Sequence, residues 1–128
     1  MAKILLVEDD PFIAEIYEKK LTDAGFEVVN VKTGKEVLKR VVEAQYDLVL
    51  LDMVLPELSG MEVLHELRTK PEYDKNLLIV VFSNLSSPEE QEAAKKAGAN
   101  GFISKTNFAP SQVVEEVSRY VAMLPKTP

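Results

Sequence analysis

Acidic residues stand directly after two apolar runs of this 128-residue sequence, where their carboxylates could bind a ligand or react. Glu8 and Asp9 follow the run at residues 4–7, and Asp52 follows the run at residues 48–51. Unbroken apolar runs of this length are typical of strands that are buried on both faces of a parallel sheet. Open α/β sheets bind their ligands outside the carboxyl ends of such strands, so these three carboxylates are candidates for a functional site.

Two more polar side chains end strand-like segments in the same way. Ser83 follows the apolar run at residues 77–82, and Lys105 follows the short segment at residues 101–104. Taken singly, each residue has an ordinary structural explanation: an aspartate that caps a turn, a serine in a turn, or a lysine that is simply solvated. Five such residues at the ends of strands are improbable by chance, so the set indicates a site.

Three carboxylates that converge on one point repel each other, so either their pKa values rise or a cation lies among them. The sequence has no cysteine, and its single histidine, His65, lies beside an apolar helical stripe, so oxygen ligands and a hard cation are expected. Mg²⁺ is the first choice and Mn²⁺ an alternative. Lys105 and Ser83 add a positive charge and a hydroxyl for a phosphoryl group. A carboxylate with these partners indicates aspartyl-phosphate chemistry at Asp52.

These residues must be positioned by the predicted strands and helices. Along the chain, five strand-like runs alternate with five helical patterns. This alternation predicts an α/β fold with a parallel sheet. Right-handed crossovers place helices on both faces and bring the carboxyl ends of the strands to one edge, where the five candidate residues would meet. The periodicity alone leaves the order of the strands open.

The sequence makes specific predictions about how the first and fourth helices are capped or packed. Asp10 and Pro11 have the residue types preferred at the start of a helix, so Asp10 is the expected N-cap of the first helix. Six residues form its apolar stripe and are expected to face inward: Phe12, Ile13, Ile16, Tyr17, Leu21 and Ala24. The helix at residues 91–97 offers only alanines as an apolar face, so we expect it to be the most weakly held of the five.

Composition limits the classes of function. A length of 128 residues predicts one domain, expected at residues 1–124, with residues 125–128 as a tail or the start of a linker. The lack of cysteine fits a reducing compartment, so a cytoplasmic protein is expected. The net charge of −6 argues against direct nucleic-acid contact. No apolar run of the sequence approaches the roughly 18 residues of a membrane span, so no membrane partner is expected.

Four segments of the sequence together resemble the receiver domain of bacterial response regulators, over essentially the whole chain. These segments are ILLVEDD from residue 4, LLDMVLPELSG from residue 50, VVFSN from residue 80 and GANGFISK from residue 98. The resemblance implies a flavodoxin-like, doubly wound fold with five parallel strands in the order 2-1-3-4-5 and five helices. It also implies that Asp52 accepts a phosphoryl group from a sensor histidine kinase or a histidine phosphotransfer protein.

The resemblance further implies roles for the neighbouring residues. The Mg²⁺ ligands would be three carboxylates and one backbone carbonyl: Glu8, Asp9, Asp52 and the carbonyl of Val54. Ser83 and Lys105 would contact the phosphoryl group. Phe102 occupies the position of the family's switch aromatic, which turns inward when the hydroxyl residue moves to the phosphate. The fourth helix, fifth strand and fifth helix would form the face that switches and binds a downstream output domain or protein.

The sequence departs from the family pattern near the phosphoryl group. Thr106 stands where a proline usually follows the lysine, often through a cis bond; here a trans bond is expected, since a cis non-proline bond costs about 3 kcal/mol. Asn84 replaces the small residue usual after the hydroxyl and is expected to narrow the approach to the phosphate. Val54 and Leu85 are aliphatic and flank the site, where they are expected to hinder attack by water. We therefore expect Val54, Asn84 and Leu85 to tune dephosphorylation.

Other interpretations of the same residues are weaker. A haloacid-dehalogenase-type phosphatase needs a second aspartate at the position of Val54, and dinucleotide binding needs a glycine-rich loop where Glu8 and Asp9 stand. The main alternative is a pseudo-receiver, an interaction module that works without phosphorylation. We do not expect an enzyme that turns over a separate substrate, because the chain would promote only its own phosphorylation and dephosphorylation.

Overall fold

The computed structural model describes residues 2–84 and 87–123, and within them five strands alternate with five helices. The strands are β1 (Lys3–Val7), β2 (Glu27–Val31), β3 (Leu48–Leu51), β4 (Leu78–Ser83) and β5 (Gly101–Ser104). The helices are α1 (Pro11–Asp23), α2 (Gly34–Glu43), α3 (Gly60–Thr69), α4 (Pro88–Lys96) and α5 (Pro110–Ala122). None of the helices in the described ranges combines the length and the apolar character needed to cross a membrane. The expected domain end at residue 124 and the tail at residues 125–128 lie outside the described residues.

The five strands form one parallel sheet in the order β2-β1-β3-β4-β5, which confirms both the α/β class and the strand order implied by the resemblance. Strands β1 and β3 are neighbours, paired from Ile4 opposite Leu48 to Val7 opposite Leu51. All four residues of β3 are fully buried, as expected for a strand covered on both faces. Because the two strands end level with each other, the residues that follow them are also neighbours.

Alternate side chains of the strands enter two separate apolar clusters, one on each face of the sheet. On one face, Leu5 and Val49 pack with residues of α2 and α3. On the other face, Leu6 and Leu50 pack with residues of α1 and α5 and with Phe82 of β4. Burial of a single large aliphatic side chain contributes about 1.5–3 kcal/mol. The sheet is therefore held between two layers of helices, and its carboxyl edge is left as the site.

The first helix begins as predicted, but only part of its predicted apolar stripe faces the sheet. Asp10 is its N-cap, and its carboxylate accepts hydrogen bonds from the backbone N–H groups of Phe12 and Ile13 at 2.9 and 3.3 Å. The expectation that Phe12 and Ile16 face inward is wrong, since Phe12 is 78% exposed and Ile16 is 49% exposed. The helix does bury Tyr17 and Leu21 of the predicted stripe, and with them Ala14, which was not predicted. Because these three buried residues already have the helical spacing of three and four residues, Phe12 and Ile16 lie on their flank.

The fourth helix has the thin apolar face that the sequence predicts. Within α4 only Ala94 is buried, whereas α1 buries three residues. The start of α4 is well capped, because the Ser87 hydroxyl accepts a hydrogen bond from the Glu90 N–H at 3.2 Å. Helix α4 is therefore fixed at its first turn but contributes little apolar surface to the core.

Candidate functional site

The carboxyl ends of β1 and β3 bring three carboxylates together. Backbone hydrogen bonds continue past the strands, from the Glu8 N–H to the Val31 carbonyl at 3.0 Å and from the Asp52 N–H to the Val7 carbonyl at 3.3 Å. One carboxylate oxygen each of Glu8, Asp9 and Asp52 forms a group within 4.8 Å of one another. Glu8 and Asp52 are buried, and Asp9 is exposed. The predicted acidic cluster is therefore present, with Asp9 on its solvent side.

Lys105 reaches this cluster from the end of β5. Its backbone N–H donates to the Ser83 carbonyl at 2.9 Å, which holds the ends of β4 and β5 together. Its ammonium group donates to Asp52 Oδ2 at 2.8 Å and to Glu8 Oε1. The side chain spans β4, which lies between β3 and β5 in the sheet. Only 8% of the side chain is exposed, so solvent and salt screen these charges little.

Burial and ion pairing oppose each other in this pocket. Burial raises the pKa of Glu8, and the hydrogen bonds from Lys105 and from the Asp10 N–H oppose that rise without reversing it. Burial alone would lower the pKa of Lys105, but its hydrogen bonds to Asp52 and Glu8 outweigh burial, and the pKa of Lys105 is raised. The lysine therefore stays charged and offsets part of the negative charge of the cluster.

The loop after β3 orients the Asp52 side chain. The Val54 N–H donates to Asp52 Oδ1 at 3.1 Å, so the two carboxylate oxygens have different partners. The loop then folds back, and the Gly60 N–H donates to the Met53 carbonyl at 3.0 Å. A Cβ atom at Gly60 would lie 2.4 Å from the Asp52 carbonyl oxygen, so only glycine allows α3 to begin this close to the site. The same loop leaves the Val54 side chain 63% exposed.

The remaining predicted site residues lie around this centre. Ser83 ends β4 and is fully buried beside the Lys105 backbone. Asn84 follows and is exposed, and Leu85 lies outside the described residues. Phe102 is half-buried in β5 and lines a cavity of about 200 Å³ together with four residues: Met53, Met61, Glu90 and Ala93. Phe102 therefore lies beside α3 and α4, whereas Lys105, which follows β5, contacts the carboxylates.

The turn after Lys105 has the conformation expected without proline. The Lys105–Thr106 bond is trans, and residues 2–84 and 87–123 contain no cis peptide bond. The hydroxyl groups of Ser104 and Thr106 lie 3.0 Å apart and share a hydrogen bond across the lysine. Two hydroxyl side chains therefore hold this turn where the family usually has a proline.

Two residues near the site were not predicted from the sequence. The Asn30 side-chain amide donates to the Leu6 carbonyl at 3.0 Å and ties β2 to the end of β1. Its signal in the sequence is a polar residue inside an apolar strand. The Phe82 ring lies under the Lys105 ammonium, with Nζ 5.0 Å from the ring centroid. No local signal marks Phe82, because a phenylalanine in a buried strand is ordinary.

Known proteins are similar to this chain in sequence and in fold. The chemotaxis protein CheY of Thermotoga maritima is 33% identical over 118 residues, which cover 91% of this chain and 95% of that protein. The response regulator ArlR of Staphylococcus saprophyticus is 30% identical over 128 residues, which cover 100% of this chain and 54% of that protein. A solved structure of the chemotaxis response regulator CheY4 of Vibrio cholerae matches with a TM-score of 0.85 at 31% identity, covering 94% of this chain and 98% of that one.

In several curated transcriptional regulatory proteins the matched region makes up 50% of the relative's own length, so the chain spans about half of those relatives. The family model of the response regulator receiver domain matches residues 4–118. That range contains β2 to β5, all of β1 except Lys3, and all the residues gathered at the carboxyl edge of the sheet. The chain therefore belongs to the receiver domain family of two-component response regulators.

Proposed function

We propose that this receiver domain is switched by phosphorylation of Asp52, with the phosphoryl group supplied by a sensor histidine kinase or a histidine phosphotransfer protein. The observation that carries the proposal is the buried Asp52 carboxylate, bound by Lys105 at 2.8 Å within a cluster of three carboxylates. Phosphoryl transfer needs a positioned nucleophile and neutralised charge, and these residues supply both. The proposal includes a cytoplasmic location, in keeping with the cysteine-free sequence.

The proposed transfer forms one bond and breaks one. A carboxylate oxygen of Asp52 bonds to phosphorus, and the bond from phosphorus to the donor's imidazole nitrogen breaks, with its electron pair kept by the nitrogen. The Lys105 ammonium, already beside Asp52, pairs with oxygens of the transferred group, and the Ser83 hydroxyl donates to them. Hydrolysis later returns the carboxylate and inorganic phosphate. The chain thus promotes only its own phosphorylation and dephosphorylation.

Receiver domains bind Mg²⁺ at an acidic pocket, and the carboxylates of this chain fit that ion. Three oxygen donors within 4.8 Å of one another match the preference of Mg²⁺ for carboxylate and water ligands. The proposed ligands are three side chains and one carbonyl: Glu8, Asp9, Asp52 and the backbone carbonyl of Val54. Mn²⁺ is the expected substitute. When bound, the ion supplies positive charge to the phosphoryl oxygens.

Three exposed apolar side chains suit contact with the protein that donates the phosphoryl group: Phe12 and Ile16 on α1 and Val54 on the loop after β3. Both segments begin at the carboxyl edge of the sheet, where Asp52 lies. Exposed apolar surface often marks protein interaction sites. The proposed docking site of the kinase or phosphotransfer protein therefore includes these three side chains.

The proposed switch connects the site to Phe102 and α4. Ser83 pairs with Ser104 in the sheet, so a movement of Ser83 toward a phosphoryl group acts on β5 two residues from Phe102. The cavity of about 200 Å³ beside Phe102 gives its ring space to turn inward. Helix α4 is thinly packed, so a small free-energy difference is enough to shift its position. The proposed output face is α4, β5 and α5, and its partner is a downstream output domain or protein rather than nucleic acid.

Intact mass spectrometry tests the proposal. The natural sequence, Asp52→Ala and the control Asp23→Asn, whose carboxylate is exposed at the end of α1, are incubated with acetyl phosphate and Mg²⁺. We expect one phosphoryl adduct on the natural sequence and on Asp23→Asn, and none on Asp52→Ala or in a metal-free sample. No adduct, together with no binding of the phosphate mimic beryllofluoride, would contradict the proposal and favour a pseudo-receiver that works without phosphorylation.

A further inference from the structure

The aromatic ring of Phe82 lies beneath the ammonium group on which the site depends. Phe82 is in β4, one residue before Ser83, and is fully buried. Lys105 Nζ lies over its face, 5.0 Å from the ring centroid. The ammonium therefore has two kinds of partner, the carboxylates of Asp52 and Glu8 on one side and an aromatic face on another.

The orientation of the Phe82 ring is fixed by a second aromatic residue. The ring of Tyr17, from α1, meets it at 76° with the two centroids 4.7 Å apart. Both residues belong to the apolar cluster that includes Leu21 of α1 and Val113 of α5. A ring packed on this side cannot turn its face away from Lys105 without disturbing the core. Helix α1 thus supports the aromatic face that the ammonium contacts.

An aromatic face holds a lysine differently from a carboxylate. Its quadrupole attracts the ammonium, but the ring carries no net charge and does not compete for a metal ion or a phosphoryl group. The Lys105 side chain is only 8% exposed, which places this contact among the stronger, desolvated cation–π pairs. Lysine is long and flexible, so a contact that persists while its carboxylate partners change would keep the charge at the site.

We propose that Phe82 is a positioning residue, whose ring holds the Lys105 ammonium beside Asp52 through a cation–π contact while the lysine exchanges carboxylate for phosphoryl oxygens. The positioning role rests on the proposed function of Asp52, whereas the contact itself does not. The competing explanation is that Phe82 only fills the core. The two explanations differ in what they require of the ring, since a core residue needs its volume and a cation–π partner needs its electron-rich face.

Fluorinated phenylalanines separate these requirements, because each added fluorine makes the ring face less negative while the shape changes little. Phe82 is replaced, by nonsense suppression, with phenylalanine carrying one, two or three fluorine atoms. Phe26 receives the same series as a matched control: it packs against the same cluster, but it precedes β2 at the opposite edge of the sheet. Two quantities are measured, the rate of phosphorylation by acetyl phosphate with Mg²⁺ and the ¹⁵N–¹H NMR signal of the Lys105 ammonium in the unphosphorylated protein.

We expect the phosphorylation rate to fall stepwise along the Phe82 series, by about tenfold in total, and the ammonium signal to shift in the same order. The Phe26 series should change neither quantity. A constant rate and a constant ammonium signal along the Phe82 series would overturn the proposal and leave Phe82 as a core residue. A shifting signal with a constant rate would overturn the positioning role while keeping the contact.

The failure of the proposed function is distinguishable from the failure of this inference. If the natural sequence takes no phosphoryl group and binds no beryllofluoride, phosphorylation at Asp52 is refuted, and with it the role of Phe82 in that reaction. The ammonium signal still decides on the contact, since it is measured without any phosphodonor. Thermal unfolding of each fluorinated protein shows that the ring change leaves the fold intact, because fluorinated rings remain apolar and fill the same space.

Discussion

At the scale of single residues, Lys105 offsets the negative charge of a nearly buried acidic pocket. Its ammonium contacts both Asp52 and Glu8, and the three side chains are 8%, 8% and 2% exposed. Water stabilises charges in such a place poorly, so each charge depends on its partners. Removing one partner leaves an uncompensated charge, which costs more than replacing the whole group with apolar residues.

We predict that Lys105→Met lowers the free energy of unfolding by about 3–5 kcal/mol in metal-free buffer, because Glu8 and Asp52 lose their cation. Mg²⁺ should restore part of this loss, since those carboxylates are among its proposed ligands. Urea unfolding with and without Mg²⁺ measures both effects. The exposed Lys95→Met on α4 is the control and should change stability by less than about 0.5 kcal/mol. Equal losses in the two variants would show that the buried ion pairs do not stabilise the fold.

Val54 is one of the residues expected to hinder attack by water on phosphorylated Asp52. We predict that Val54→Asn shortens the lifetime of phosphorylated Asp52, because an amide side chain can orient an attacking water and an aliphatic one cannot. Loss of the phosphoryl mass after removal of the donor measures this lifetime. Val42→Asn is the matched control, since Val42 is 58% exposed on α2 and Val54 is 63% exposed. An unchanged lifetime in Val54→Asn would remove Val54 from the residues that tune dephosphorylation.

The same assay applies to the other two residues expected to tune dephosphorylation. Asn84 is exposed directly after β4, and replacing it with alanine should open the approach to the phosphoryl group and shorten the lifetime of phosphorylated Asp52. Replacing Leu85 with a polar residue should also shorten this lifetime, as the change at Val54 does. Their contributions remain predictions from the sequence.

At the scale of elements, the sequence predicts strands and caps well and helix faces less well. The N-cap at Asp10 and the strand at residues 48–51 depend on the few residues around them, and both are present. The buried face of α1 depends on how that helix packs against β2, the next element, and against α5, which is distant in sequence. An apolar stripe in the sequence does not show which of two adjoining rows meets the sheet, so Phe12 and Ile16 were wrongly expected to be buried.

Helix α4 is the element we expect to open most easily. We predict that amides at residues 90–97 exchange with solvent hydrogen faster than those of α1, because α4 buries only Ala94 and α1 buries three side chains. Hydrogen exchange of the unphosphorylated protein, followed by NMR, compares both helices in one sample. Protection at residues 90–97 equal to that of α1 would contradict the prediction and leave the proposed switch without a weakly held element.

At the scale of the whole molecule, the site joins segments that are far apart in the sequence. Lys105 is 97 positions from Glu8 and 53 from Asp52, and it meets both only because β4 alone separates β5 from β3 in the folded sheet. Arg68 joins distant segments in a similar way, since its Nε donates to the Gly98 carbonyl at 2.9 Å and links α3 to the loop after α4. A ligand that needs residues of both β1 and β3 binds the folded chain and not the unfolded one, so it stabilises the whole domain.

We predict that Mg²⁺ raises the free energy of unfolding of the whole domain, by about 2.7 kcal/mol at 100 times its Kd. Asp9→Asn should reduce this gain at a given Mg²⁺ concentration and leave metal-free stability almost unchanged, because Asp9 is exposed. Glu18→Gln, at an exposed position of α1, is the control and should keep the full gain. Unfolding curves across a Mg²⁺ titration measure the effect. An undiminished gain in Asp9→Asn would exclude Asp9 as a ligand.

The alternation of strands and helices, and the candidate residues that follow the strands, could be predicted from the sequence alone. These features depend on neighbours within a few positions: an unbroken apolar run, a cap before a proline, a polar residue where a strand ends. The order of the strands came from resemblance to a family, since periodicity carries no information about which strands are adjacent. That resemblance rests on four segments, and the observed order of the sheet agrees with it.

Which atoms meet at the site became clear from the folded structure. It shows Lys105 bound to Asp52 and Glu8, the Phe82 ring beneath the ammonium, and Phe12 exposed beside the carboxyl edge. These contacts join residues of different elements, and their geometry depends on the packing of the sheet against both layers of helices. Local preferences act over a few residues, whereas packing depends on the whole chain at once. The strands, the helices and the candidate site residues were therefore predictable, and the atoms that each site residue contacts were not.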